Sequence, residues 1–174
     1  MIKSEYIPFP ELSTTRFSLR QLTLDDKEEI FVLRSDERVL KYLDIPIANT
    51  IEDACQFIIK INNGISNSDW IYWGISKKNE SKLLGTICLW NIALEKSNAD
   101  IGFALLPEYQ GRGIMQEIMP VVLDYGFNIM KLQKIKGEAA PENIKSIKLM
   151  EKFGFVNESK LENTVIYSLQ KEIN

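Results

Sequence analysis

Histidine is absent from all 174 residues of the chain, and that absence removes several chemistries at once. Without an imidazole there is no Ser-His-Asp triad, no Cys-His pair and no histidine-based metal site. Cysteine is scarce as well. Cys55 and Cys88 form no Cys-x-x-Cys pair and read as small hydrophobes of a reducing cytosol. No stretch approaches the ~18 consecutive apolar residues of a membrane span. Met1 to Pro10 lacks the apolar centre of a secretory signal. Basic charge is not in excess: 21 Lys and Arg against 24 Asp and Glu leave a net charge of -3. That balance argues against a general nucleic-acid binder and does not repel a cationic partner. These absences describe a cytoplasmic protein with no metal and neither nucleic acid nor membrane as partner. The 45% hydrophobic and 26% charged fractions are ordinary for a globular protein, and 174 residues fit one domain, 1–174.

Periodicity supplies the elements. Thr15 to Leu22 alternates as a half-buried strand, and Thr23 is a plausible N-cap with acids behind it. Ile30 to Arg34 continue that helix, and Val39, Leu40 and Leu43 suggest a second, short one before Pro46. Thr50 and Asp53 resemble a capping box that opens a helix over Ala54 to Ile61, stopped by Asn62-Asn63-Gly64. Trp70 to Ser76, Leu83 to Leu94 and Ala99 to Leu106 follow as an antiparallel meander. Gly111 to Asn128 has helical spacing with a kink expected at Pro120. Lys134 to Ala139 is a strand, and Asn143 to Phe153 is a helix capped by Gly154. Val156 and Thr164 to Leu169 finish the chain as strands. The class is a mixed α+β domain. Trp70, Tyr72, Trp73 and Trp90 fall on or beside central strands, with packing as the default role.

Chemistry is most legible between Leu105 and Met115. A strand ends at Pro107, and glycines at 111 and 113 lead into a helix. Glycines let a backbone approach a ligand closely. A helix start presents unpaired N–H groups and the positive end of its dipole, which suits a pyrophosphate. Arg112 adds charge. The same pattern also occurs as plain structure at a helix start, so the residues alone leave both readings open. A Walker loop is excluded because no Gly-x-x-x-x-Gly-Lys-Ser/Thr exists. A Rossmann fingerprint fails at Gln116 and in its strand context.

Gln110-Gly111-Arg112-Gly113-Ile114-Met115 resembles the Gln/Arg-x-x-Gly-x-Gly/Ala motif of the GNAT superfamily of N-acetyltransferases, with Met115 where a small residue is usual. The wider pattern is similar to its RimJ/RimL branch, which acetylates the N-termini of ribosomal proteins. Leu12 to Arg20, Ser35 to Leu43 and Asn143 to Phe155 match that branch in order. The resemblance implies a splayed, mostly antiparallel sheet flanked by helices, with the strands Ala99–Leu106 and Lys134–Ala139 parting in a V. It implies acetyl-CoA as cofactor, its pantetheine arm between those strands. The backbones of Leu105 and Leu106 would contact the arm, with the amide near Leu105 a candidate oxyanion donor. Gly111, Gly113, Ile114 and Met115 would hold the pyrophosphate, helped by Gln110 and Arg112. Asn143 would bind the arm or simply cap its own helix, roles that can coexist.

Attack of an amine on a thioester needs a base and an acid. The helix position that many relatives fill with a tyrosine is Met150 here, so Ser146, one turn earlier, is the acid candidate, or a serine packed on a helix face. Asp100 is the candidate base and Glu138 the runner-up, each also readable as a solvated strand residue. Trp90 and Asn91 border the acceptor site in one reading, within a groove formed by Arg34 to Ile51 and Trp90 to Lys96. The acceptor is then a protein N-terminal α-amine, or a small amine such as a polyamine, amino sugar or antibiotic. A non-catalytic acyl-CoA-binding module is the reading from another class. A monomer or homodimer is expected.

Overall fold

A computed structural model describes residues 6–173; Met1 to Glu5 and Asn174, the ends of the expected domain, lie outside the described residues. Among the described residues one sheet holds β1 (Leu12–Ser13), β2 (Phe17–Arg20), β3 (Ile71–Lys77), β4 (Leu83–Ala93), β5 (Asn98–Leu105), β6 (Lys134–Ala139), β7 (Val156–Lys160) and β8 (Val165–Gln170). Their spatial order is β1-β2-β3-β4-β5-β6-β8-β7. Every neighbouring pair is antiparallel except β5 and β6, which run parallel. The helices are α1 (Lys27–Leu33), α2 (Glu37–Leu40), α3 (Ile51–Ser66), α4 (Ile114–Asp124) and α5 (Ile144–Lys152). No helix among the described residues is long and apolar enough to cross a membrane.

Alternation along the strands sends side chains to two helical layers. Tyr72 meets the ring of Phe57 on α3, with centroids 6.0 Å apart. Trp73, its neighbour, points the other way and meets Tyr125, just past α4, at 5.3 Å. The Trp73 face also carries Gly137, over which the Met150 sulfur of α5 sits. So α1 and α3 cover one face, and α4 and α5 the other. The core runs through both layers, with Leu19, Ile71, Trp73, Ile75, Ile87 and Leu89 fully buried.

Capping chemistry sets the start of α3 as expected. The Asp53 amide donates to Thr50 Oγ1 and the Thr50 amide donates back to the Asp53 carboxylate, each at 3.1 Å. Thr23 is likewise an N-cap, of a tight 3-10 turn, Leu24–Asp26, that leads into α1. Buried Asp26 organises that turn by accepting from the Thr23 amide at 2.8 Å and from both terminal nitrogens of Arg20. α2 ends at Leu40, short of Leu43.

Three expected boundaries move. Gly64 does not stop α3, which continues to Ser66. The Trp70 indole lies where a Gly64 side chain would be, and its Nε1 donates to the Ile61 carbonyl at 3.0 Å. Gly64 therefore serves close packing inside a helix. The helix expected from Gly111 begins only at Ile114, because Gly111 and Gly113 both hold φ of 73°. It runs through Pro120 to Asp124 and then widens into a π turn over Tyr125–Ile129.

Alanine is ordinarily favoured over glycine inside a helix by roughly 0.5–1 kcal/mol. At Gly64 that gain is outweighed, since overpacking costs about 1–3 kcal/mol. Gly64→Ala is expected to lower the Tm by several degrees in thermal unfolding followed by circular dichroism, and a raised Tm would show that Trp70 yields freely.

Candidate functional site

β5 and β6 pair for only four residues, Asn98 with Lys134 through Ile101 with Gly137. Beyond that point β5 stays bonded to β4 as far as Leu105 opposite Gly85, and β6 stays bonded to β8 as far as Ala139 opposite Val165. The two edges facing one another past Ile101 and Gly137 are thus unpaired, as the expected V requires. Ladder bonds alternate in direction along a strand. The Leu106 amide donates to the Leu84 carbonyl at 2.9 Å, so the backbone groups of Leu105 point the other way, into the gap. Leu106 has no backbone group to spare, because its carbonyl also accepts from the Tyr109 amide at 2.9 Å. Of the two expected contact positions, Leu105 is the one with a backbone amide left open to the gap.

The chain leaves β5, crosses a 3-10 turn at Pro107–Tyr109 and reaches Gly111, Arg112 and Gly113, all exposed. Atoms added as Cβ at Gly111 or Gly113 meet nothing within 4 Å, so the loop faces open space. No side chain caps α4, and its first-turn amides are open to a ligand. An open loop before an uncapped helix start is the arrangement that suits an anion. The Gln110 amide nitrogen donates to the Leu105 carbonyl at 3.1 Å, and the Arg112 guanidinium lies 5.8 Å from the Tyr109 ring centroid. Met115, the irregular member of the motif, is buried together with Ile114. Its side chain fills the core and leaves the loop clear.

The other pieces gather around the same split. Asn143 accepts from the Ser146 amide at 3.3 Å through Oδ1, so it does cap α5, while its Nδ2 has no partner among the described residues. Ser146 is partly buried on α5. Met150 is packed on Gly137 and only 1% exposed. Asp100 is not solvated: it is 3% exposed and accepts from Asn91 Nδ2 at 2.9 Å. Glu138 is exposed on β6. Asp100 stands on the face toward α1 and α3, whereas α5 covers the opposite face. Burial pushes the Cys88 thiol up to about 12, so it stays protonated although it lies beside Gly102.

Two features escape a reading of residues in order. An open cleft of about 320 Å³ is lined by Lys41, Tyr42, Leu43, Asp44, Ala140, Glu142 and Asn163, at the turn where β6 hands over to α5. It brings part of the expected groove, Arg34 to Ile51, beside Asn143. The second feature is Glu117 in the first turn of α4. It accepts from Thr14 Oγ1 at 2.7 Å, the Arg16 amide at 2.9 Å and Arg16 Nε at 2.6 Å. These bonds tie the cradle helix to the β1–β2 hairpin over about a hundred residues of chain, a separation that conceals them in the sequence.

Burial of Glu117 works to raise its carboxyl, but the Thr14 and Arg16 donors outweigh it and hold the group down at about 2, against 4.5 ordinarily. A folded value below the unfolded one means that the unfolded chain takes the proton first. The stabilisation is therefore complete above about 4.5 and is lost as pH falls toward about 2. Glu117→Gln is expected to lower the Tm at pH 7 and to flatten its fall across that acid window. An unchanged acid profile would remove this anchor.

Comparison with known proteins agrees with the geometry. The acetyltransferase (GNAT) domain model matches residues 16–156. The uncharacterized N-acetyltransferase YoaA of Bacillus subtilis (strain 168) is 33% identical over 153 residues, 88% of this chain and 86% of its own. The ribosomal-protein-S5-alanine acetyltransferase of Vibrio fischeri has a TM-score of 0.79 at 23% identity, covering 92% of this chain and 96% of that one. The spermidine N-acetyltransferase of Vibrio cholerae, solved with CoA and spermine, has a TM-score of 0.78 at 23% identity, covering 88% and 95%. At these identities the two structures share the fold. The chain belongs to the GNAT family of acetyltransferases, whose match runs from β2 across the parted strands to the first residue of β7.

Proposed function

We propose that the chain transfers the acetyl group of acetyl-CoA directly to a primary amine, the α-amine at the N-terminus of a protein, as RimJ/RimL enzymes do. The observation that carries the reading is the gap between β5 and β6, with an anion cradle following β5 on one side of its mouth and an open cleft following β6 on the other. Pockets for small ligands typically enclose about 70–90% of the ligand surface. A shallow cleft instead suits the end of a longer chain. The Asn143 to Phe155 segment, which resembles the RimJ/RimL signature, supports the same branch.

Acetyl-CoA supplies an activated acyl carbon at the gap. First-turn amides of α4, from Gly113 to Met115, bind its pyrophosphate with Gln110 and Arg112. Leu105 pairs its backbone amide with the amide-bearing arm, its carbonyl already accepting from Gln110, and Asn143 donates through Nδ2 while Oδ1 goes on capping α5. The acceptor ammonium first gives up one proton; as the nitrogen–carbon bond then forms and the carbon–sulfur bond breaks, a second proton reaches the sulfur, while the surplus proton of the nitrogen passes through water to restore the group that gave it. Asp100 accepts the first through Oδ1, which has no hydrogen-bond donor of its own. Ser146 provides the second, since Met150 has none to give. Exposed Glu138 fits the base role less well because water already satisfies it.

Asp44 and Glu142 in the cleft favour a second reading, a polyamine acceptor, through charge complementarity. A panel assay reading thiol release separates these. Peptides beginning with Ala or Ser are expected to turn over; turnover of polyamines alone would favour the second reading, and cofactor binding with no turnover would sink both. Gly113→Asp puts a carboxylate against the diphosphate, and a repulsion of ~1.4 kcal/mol is already a tenfold loss. The acetyl-CoA Kd is expected to rise at least about tenfold, measured by calorimetry on folded protein. Unchanged binding would strip the loop of its role.

A further inference from the structure

Trp90, Asp100 and Lys136 are directly opposed on β4, β5 and β6. Directly opposed residues share a face, and this is the last such row on its face before the strands part. Within it the Asp100 carboxylate is only half satisfied. Oδ2 accepts from Asn91, whereas Oδ1 is buried without a hydrogen bond. Lys136 Nζ stands 3.5 Å away, beyond the roughly 2.7–2.9 Å of a charge-assisted bond. The neighbouring lysine of the same strand behaves differently, since Lys134 closes on Glu158 at 2.6 Å. Lys136 is also 28% exposed, so its ammonium has water to move into.

Trp90 supplies the other half. It is 46% exposed on a strand whose preceding residues are largely buried. α3 roofs this face at Tyr72 and leaves Trp90 open. An atom added at Gly102 would come within 3.6 Å of the indole Nε1, so the ring leans over the one residue of β5 that has no side chain there. Asn91 beside it holds φ of 49° within a strand irregularity between Trp90 and Ala93, anchored by its bond to Asp100. A part-open indole next to an under-bonded carboxylate is the combination that holds an ammonium, by charge and by cation–π attraction.

We propose that this row is the acceptor's ammonium seat: Lys136 keeps the place on Asp100 until the acceptor's own ammonium displaces it, and Trp90 carries the acceptor's first carbons. The inference rests on the acetyl-transfer reading above. Trading one ammonium for another leaves the charge of the row unchanged, so no additional charge is desolvated when the acceptor arrives. Alcohols and neutral amides have no cation to trade, and the seat selects primary ammonium compounds against them.

The test is acceptor KM and kcat at saturating acetyl-CoA, with an Ala-initiated peptide and with spermidine, in four variants. Lys136→Met removes the competitor and is expected to lower acceptor KM about three- to tenfold. Lys136→Arg closes a planar fork on the carboxylate and should raise it. Trp90→Leu should raise KM about tenfold or less and Trp90→Phe recover part of the loss, with the acetyl-CoA Kd constant throughout. Without acceptor, Lys136→Met should melt below wild type and gain more Tm than wild type from either amine. The two Lys136 variants moving KM in the same direction, or Lys136→Met leaving KM unchanged, would overturn the seat. A wild type that acetylates no amine would instead overturn the acetyl-transfer reading, and the amine-dependent Tm shift would still decide the seat.

Discussion

Four residues of parallel pairing, Asn98–Ile101 against Lys134–Gly137, are the constraint on which the rest of this protein depends. Had the pairing continued, the sheet would have closed and left no site. Past it each strand keeps only its outer partner: β5 follows β4, and β6 follows β8. Two well-bonded half-sheets then diverge, and the edges between them carry backbone groups that must find water or a ligand. The placement of everything else follows. The chain leaves β5 at Leu105 and reaches α4 in a few residues, which puts the helix start at the mouth of the gap. It leaves β6 at Ala139 and caps α5 with Asn143, at the gap's other wall.

The polar groups of the fold differ in how completely they are satisfied, and the difference separates scaffold from site. Asp26 accepts from both terminal nitrogens of Arg20 and from the Thr23 amide, and it serves to pin a turn. Glu117 is met by three donors and pins α4 to the first hairpin. Asp100, as buried as Asp26, has an oxygen with no hydrogen bond and only the long ion pair to Lys136. A buried acceptor left in that state costs stability, and in the acceptor seat proposed above an incoming ammonium would offset that cost. Its neighbours Trp90 and Lys136 are the partly open side chains that a ligand can rearrange.

Much of the fold is legible in residue order because its signals are local. The Thr50–Asp53 box, the Asn143 cap and the left-handed Gly154 lie within a turn of the ends they set. Strand β6 appears at its full extent, Lys134 to Ala139, since alternation and a following proline bound it. Misreadings arise where a distant side chain overrides a local preference. Gly64 looks like a helix stop until Trp70 is seen to occupy its missing side chain. The Leu106 amide, expected to face the gap, is found on Leu84.

Residue order by itself determined the family pattern, the glycine cradle before α4 and the serine and asparagine of α5, because each depends on backbone torsion and spacing within one turn. It also removed imidazole chemistry outright. Tertiary structure alone decided which of two carboxylates is buried, since Asp100 and Glu138 sit on adjoining strands with similar local sequence and only packing against Asn91, Trp90 and Lys136 distinguishes them. It decided, too, that the strands part after Ile101, because strand pairing is a property of neighbours far apart in the chain.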